Sequence, residues 1–157
     1  MEVNDLVYLD VCCFKRPFDD ASQSRVRREA EAVAAIMDAV QEGRLRLVRF
    51  PAHDLENERN PREDRRLATS LWLRAAVVEA QSSAEAATRA RELASLGFSP
   101  LDALHLAFAE RAVAKWFVTT DDALLRRARS YRERLAVVVV GPGDIPLTAV
   151  EEQGERV

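Results

Sequence analysis

Glycine and proline are scarce in this sequence, five and six residues among 157, which excludes a fibrous or low-complexity chain. Cysteine is nearly absent: Cys12 and Cys13 are neighbours and stand alone. Two adjacent thiols build no disulfide framework, and without a C-x-x-C pair no structural zinc site is expected. They read as buried thiols of a reducing cytosol. No stretch approaches the ~18 apolar residues that a membrane crossing needs. The start, MEVNDLVYLDVCCF, shows no basic leader before a long apolar run. The expectation is a cytoplasmic protein with no membrane partner. A surplus of positive charge is missing too: 23 basic against 26 acidic residues give a net charge of −3. Such a chain is no electrostatic glove for a nucleic-acid backbone. A nucleic-acid partner would have to be held by a local basic patch or through a bound metal. Lysine is the scarcest charge, since only Lys15 and Lys115 are lysines and 23 − 2 = 21 basic residues are arginine. Arginine suits bidentate phosphate contacts, but genomic base composition produces the same bias, and both readings stand.

What is present is an ordinary globular chain, 48% hydrophobic and 31% charged. It is long enough for one core without staples. A single domain over residues 1–150 is expected, with 151–157 as a frayed acidic tail. Leu6-Val7-Tyr8-Leu9 reads as a buried strand ending at Asp10. Lys15 to Ser24 has loop chemistry. Val26, Ala30, Val33, Met37 and Val40 recur at helical spacing, and Gly43 closes that helix. Leu45, Leu47 and Phe50 fit a second strand, ended by Pro51. A short helix is predicted from Leu55 to Asn60. A longer one runs from Pro61 and Arg62 to about Glu79, with Leu67, Leu71 and Ala75 on one face. Ala84–Leu96 is a further helix. Ser99-Pro100-Leu101-Asp102 opens the next, striped by Leu101, Leu104, Phe108 and Ala112. Trp116–Thr119 is a strand, followed by a short helix from Asp122. Val137–Val140 reads as a buried parallel strand. This alternation predicts an α/β layer fold with a mainly parallel sheet.

In such sheets ligands gather beyond the carboxyl ends of the strands. Asp10 ends the first strand, and Asp121 follows the Trp116–Thr119 strand. Asp102 sits in the first turn of a helix, and Glu56 on the short helix after the second strand. Each has a plain reading. Asp10 suits a turn, Asp102 can complete a Ser-x-x-Asp capping box with Ser99, Asp121 can cap the next helix, and Glu56 can lie on a solvated face beside Asp54 and Glu58. Together at one sheet edge, the four carboxylates would repel one another unless a cation sat between them. Hard oxygen donors with few histidines select Mg²⁺ or Mn²⁺. Such an ion activates water and stabilises an in-line phosphoryl transition state.

Three segments carry a family resemblance: Val7-Tyr8-Leu9-Asp10-Val11-Cys12, Ser99-Pro100-Leu101-Asp102-Ala103-Leu104-His105-Leu106-Ala107, and Val118-Thr119-Thr120-Asp121-Asp122. In this order they resemble the acidic motifs of PIN-domain proteins, and the likeness spans nearly the whole chain. It implies a PIN-like three-layer α/β sandwich, with a central, mainly parallel sheet flanked by helices. It further implies a metal-dependent endoribonuclease, similar to VapC-type toxins of type II toxin–antitoxin pairs. Carried over, Asp10, Glu56, Asp102 and Asp121 match the four acids that hold Mg²⁺ or Mn²⁺. Phe50-Pro51 stands where the family has a small polar residue, so Glu58 competes with Glu56. Cys12 replaces a hydroxyl found two places after the first aspartate, and its contribution is read as packing. The implied partners are an RNA substrate and a small antitoxin protein, and the apolar helices from Arg62 to Leu96 suggest a homodimer.

Other readings remain open. A PIN fold can act as a non-cleaving RNA- or protein-binding module. A phosphoacceptor receiver domain would need a paired-acid first strand and a lysine after a later strand. An aspartyl nucleophile would want Asp-x-Asp where Asp10-Val11-Cys12 stands. His105 lies three residues after Asp102 and is read as packing before lining. His53, three before Glu56, could form a carboxylate–histidine metal pair. Arg16, Arg59, Arg62 and Arg65 are candidate phosphate contacts, with Arg25, Arg27, Arg28 and Arg66 on the same segments. Solvated helix faces are the alternative.

Overall fold

The computed structural model describes residues 5–76, 78–79 and 83–147; the expected tail at 151–157 lies outside them. Strand β1 (Leu6–Leu9) leads into helix α1 (Val11–Lys15) and a 3₁₀ turn (Arg16–Phe18), then α2 (Ser24–Gln41), β2 (Arg46–Arg49), α3 (Pro51–Glu58) and α4 (Glu63–Leu73). The short strand β3 (Val78–Glu79) precedes α5 (Ala84–Ser95) and α6 (Pro100–Arg111). The chain continues with β4 (Trp116–Val118), α7 (Asp122–Ser130) and β5 (Val138–Val140). The strands lie in the order β3-β2-β1-β4-β5, and every neighbouring pair is parallel. Chain order reverses beside β1, so the switch point falls where β1 and β4 end side by side.

Alternation along the central strands divides the core in two. Val7, Leu9, Leu47, Trp116 and Val118 point to one face, against Ile36 and Met37 of α2 and Leu73 of α4. Tyr8, Val48 and Phe117 point to the other, against Leu93 of α5, Leu106 of α6 and Leu124 of α7. Helix, sheet and helix therefore form the expected three layers. Tyr8 stacks on Phe117 with ring centroids 5.2 Å apart, and Phe50 stacks on Phe108 at 4.2 Å. Among the described residues, no helix is long and apolar enough to cross a membrane.

Several local expectations shift. Helix α1 begins directly after Asp10, whose Oδ1 accepts from the Val11 N–H at 2.9 Å, ahead of the segment read as a loop. Pro51 starts α3 rather than merely ending β2, as a proline at the first helical position can. Pro61 precedes α4 without opening it: Asn60 Oδ1 takes the Arg62 N–H at 3.1 Å, a turn that delays the helix to Glu63. The helix also stops at Leu73, and Val78–Glu79 joins β2 as an edge strand. Its buried residues are Thr69 and Leu73, while Leu67 and Leu71 face outward at 56% and 64% exposure. Helix α6 is buried on most sides, from His105 through Ala109, instead of along one stripe. Strand β5 is parallel but is an edge, and Val138 is exposed.

Helix α6 ends with Val113 at φ 58°, a left-handed conformation that a β-branched residue rarely adopts. The Ala114 N–H reaches Ala109 O and the Val113 N–H reaches Glu110 O, both at 3.0 Å. That is the bonding of a Schellman cap, where glycine is the usual occupant. Val113→Gly is expected to raise stability by about 1 kcal/mol, the left-handed cost relieved less the chain entropy glycine adds. A rise in the urea midpoint at unchanged slope is the check.

Candidate metal centre

Asp10 sits at the end of β1, beside β4. Its N–H donates to Val118 O at 2.9 Å. Its side chain is buried and accepts from three donors, the Val11 N–H on Oδ1, and the Thr119 hydroxyl at 2.8 Å and the Cys12 thiol at 3.5 Å on Oδ2. Burial still pushes the Asp10 carboxyl above its ordinary value. Glu56 adds to the push, while His105, Thr119 and Cys12 oppose it.

Glu56 lies on α3, half-buried, and accepts from His105 Nε2 at 2.9 Å. Burial pushes its carboxyl up, but the hydrogen bond from His105, helped by the charge of Lys15, brings it below the ordinary value. Glu58, the competitor on the same helix, is exposed. Asp102 is half-buried in the first turn of α6, which Ser99 caps through the Asp102 N–H at 3.2 Å. Burial and the charges of Asp10 and Asp121 push the Asp102 carboxyl up. Asp121 is exposed and caps α7, its Oδ1 accepting from Ala123 and Leu124 at 2.9 and 3.2 Å. The capping reading of Asp121 is thus real, whereas at Asp102 only the Ser99 half of the expected box forms.

The tightest grouping joins Asp10, Glu56 and His105, with one ligand atom of each within 4.8 Å of the others. Asp102 and Asp121 lie beyond it, within electrostatic reach of Asp10 or of each other. The donor set suits a hard divalent cation: carboxylate oxygens crowd a buried aspartate whose proton affinity is raised when no positive charge is present.

Two contributors, Thr119 and Lys15, were given no role from the sequence, and a third, Cys12, was given only packing. Thr119, just past the end of β4, supplies the hydroxyl missing at Cys12, and its Oγ1 also takes the Asp121 N–H at 3.1 Å, tying the two aspartates. The Thr-Thr-Asp run at a strand end was the available signal. Cys12 does more than pack, since its sulfur also accepts the Thr120 N–H at 3.4 Å. Lys15 lies close enough to favour a charged Glu56. Among the arginine candidates, Arg16 is engaged with Asp19 and Glu29, and Arg65 with Asp19 and the Phe18 carbonyl. Arg59 and Arg62 are exposed, Arg62 only 3.5 Å from Asp64.

His53 serves as structure. Its Nδ1 accepts the Phe50 N–H at 3.0 Å, so Nε2 carries the proton donated to Leu9 O at 2.8 Å. Burial and the neighbouring His105 lower its pKa from 6.5 to about 4. The unfolded chain therefore takes up a proton that the folded chain refuses between those values. Stability contributed by neutral His53 is present above pH 6.5 and is lost as pH falls to about 4, by on the order of 3 kcal/mol. NMR should find the His53 ring neutral at pH 5, with the urea midpoint already falling; a ring titrating at its ordinary value would refute the assignment.

A family model for the PIN domain matches residues 7–130, and the chain belongs to the PIN-domain family. Seven chains of known structure match it significantly. One is the crystal structure of FitAcB from Neisseria gonorrhoeae, with a TM-score of 0.56 and 14% identity over 88% of this chain and 99% of that one. At that identity the likeness speaks for the fold. Among curated proteins, no sequence matches the chain significantly. PIN domains are generally nucleases, and Asp10, Glu56 and His105 form a cluster that could hold a metal ion.

Proposed function

We propose that this chain is a metal-dependent endoribonuclease that hydrolyses RNA phosphodiester bonds, acting in the cytoplasm as the toxin of a type II toxin–antitoxin pair. The observation that carries the nuclease reading is the crowding of carboxylates around buried Asp10 at the sheet's switch point. Asp10, Glu56, Asp102 and Asp121 would hold Mg²⁺ or Mn²⁺. Such an ion supplies an acidified water and neutralises charge at the scissile phosphate. The chain's own part is to fix the donors. Thr119 and Cys12 hold Asp10, His105 holds Glu56, and the caps of α6 and α7 fix the backbone that presents Asp102 and Asp121. Arg59 and Arg62 remain the better phosphate-binding candidates, because Arg16 and Arg65 already have carboxylate partners.

The toxin role and a small antitoxin rest on the family resemblance, and a single domain over 1–150 on the chain's length and pattern. Self-association into a homodimer has a structural support: Leu67 and Leu71, four residues apart on α4, are both exposed. Asp102→Asn tests the nuclease reading. The variant should fold, since Ser99 caps the backbone N–H of residue 102, and should lose Mn²⁺-dependent cleavage of a mixed RNA pool by at least ~10²-fold. Cleavage retained by the variant, or surviving a chelator, would overturn the metal-site reading, and a wild-type protein that cuts no RNA with Mn²⁺ present would leave the non-cleaving module as the better description.

A further inference from the structure

His105 stands in the tightest acidic grouping, so it invites reading as a metal ligand. Its hydrogen bonds argue otherwise. The Tyr8 hydroxyl is fully buried, and its one hydrogen-bond partner among the described residues is His105 Nδ1, at 2.6 Å. A buried O–H that finds no acceptor is costly, so the Tyr8 proton points at Nδ1. That nitrogen then accepts, and the ring's own proton is on Nε2. A doubly protonated ring would leave the Tyr8 proton with nowhere to go. Nε2–H faces Glu56 Oε2 at 2.9 Å. A ring nitrogen carrying a proton has no lone pair for a cation.

We propose that Tyr8 locks His105 as the Nε2–H tautomer, and that His105 is a positioning residue holding Glu56 toward Asp10, not a ligand. The inference rests on the metal-site reading above and names how that site is held. The frame around it is stiff. Tyr8 packs on His53 at 4.5 Å and on the edge of His105 at 5.6 Å, and the two imidazoles lie 5.4 Å apart. His53 tethers α3 to the end of β1 through Leu9 O, and His105 tethers the same helix to α6 through Glu56. Glu56 is held by one oxygen, and Oε1 has no protein partner among the described residues. The lock therefore offers an oriented, charged carboxylate with one free oxygen to a cation.

Two measurements test this. In metal-free ¹⁵N-labelled protein, two-bond ¹H–¹⁵N correlations should show His105 Nδ1 unprotonated and Nε2 protonated, unchanged on saturation with Mg²⁺. An Nε2 that loses its proton when Mg²⁺ is added would make His105 a ligand and overturn the proposal. Direct Mn²⁺ binding, followed by electron paramagnetic resonance, should weaken ~10–100-fold in His105→Ala, the usual cost of losing a residue that orients a ligand. His105→Gln, whose amide N–H₂ reaches the same carboxylate, should recover most of that loss. Equal Mn²⁺ affinity in wild type and His105→Ala would reduce the residue to packing and overturn the proposal. Tyr8→Phe keeps the stack on Phe117 but removes the lock. It should give a mixed His105 tautomer and an intermediate Mn²⁺ affinity, and an unchanged tautomer would sink the role of Tyr8. The metal-free spectrum needs neither ion nor RNA. It therefore separates a wrong tautomer from a wild-type protein that binds no Mn²⁺, the result that would remove the metal reading itself.

Discussion

Asp10→Asn is expected to abolish RNA cleavage and, at the same time, to raise the thermal midpoint of the metal-free protein. The second effect follows from the sign of the Asp10 shift. Burial, reinforced by Glu56, raises the carboxyl's pKa in the fold despite the donors from Thr119 and Cys12. An acid whose folded pKa is raised favours folding only while protonated. Its contribution is complete below the unfolded value and is lost as pH rises through the folded one. At neutral pH charged Asp10 therefore works against the fold. Asparagine keeps the shape and an oxygen for the Val11 N–H, while the charge disappears. With saturating Mn²⁺ the ranking should invert. A cation at 100 times its dissociation constant adds about 2.7 kcal/mol to wild type by mass action, and the variant lacks a central donor for it. Cleavage should fall by on the order of 10³-fold or more, matching the several kcal/mol that a metal contributes to such a transition state. Calorimetry with and without Mn²⁺ reads both rankings. A variant less stable than wild type under chelator would show that Asp10 stabilises the fold as an anion, and the cation's electrostatic purpose would be gone.

The parts of this architecture that sequence made legible are those written in apolar runs. Leu6–Leu9, Trp116–Val118 and the helical spacing from Val26 to Val40 needed no tertiary information, because each segment's burial is printed in its own pattern. The nearness of Asp10 to Glu56 and to Asp102, and of Asp102 to Asp121, was legible for a related reason, since strand and helix ends in a parallel sheet point to one edge. Segments whose form depends on distant partners were not. Five-residue α1 has little pattern of its own and starts where Asp10 caps it. Two-residue β3 exists because β2 offers an open edge. Leu67 and Leu71 imitate a core stripe but face outward, since α4 turns Thr69 and Leu73 inward. Hydrogen-bond partners were the least legible of all. Nothing in the sequence pairs Tyr8 with His105 across 97 residues, or Thr119 with Asp10 across 109. The same blindness made Arg16 and Arg65 look available for phosphate, although Asp19 holds both.

The choice between Glu56 and Glu58, which spacing left open, should be decided by a pair of glutamines. Glu58 is exposed and stands outside the acidic grouping, so Glu58→Gln should leave cleavage and stability close to wild type, as surface changes usually do. Glu56→Gln removes one negative charge from beside Asp10 yet leaves an amide oxygen for His105 Nε2–H, so the fold should hold. Cleavage should nevertheless fall ~10²–10³-fold, because the lost carboxylate is one that would hold the cation. Glu56→Ala separates the two roles. It removes the acceptor as well as the charge, and the buried Nε2–H of His105, whose ring is 1% exposed, is left without its partner. That orphaned donor should cost a further ~1–3 kcal/mol of stability, absent from the glutamine variant although both are inactive. Urea melts of the three variants, set beside single-turnover cleavage, distinguish charge from tether. Equal stability of the alanine and glutamine proteins would mean that the His105–Glu56 bond contributes nothing to the fold. Activity lost in Glu58→Gln and kept in Glu56→Gln would move the second acid to the outer face of α3.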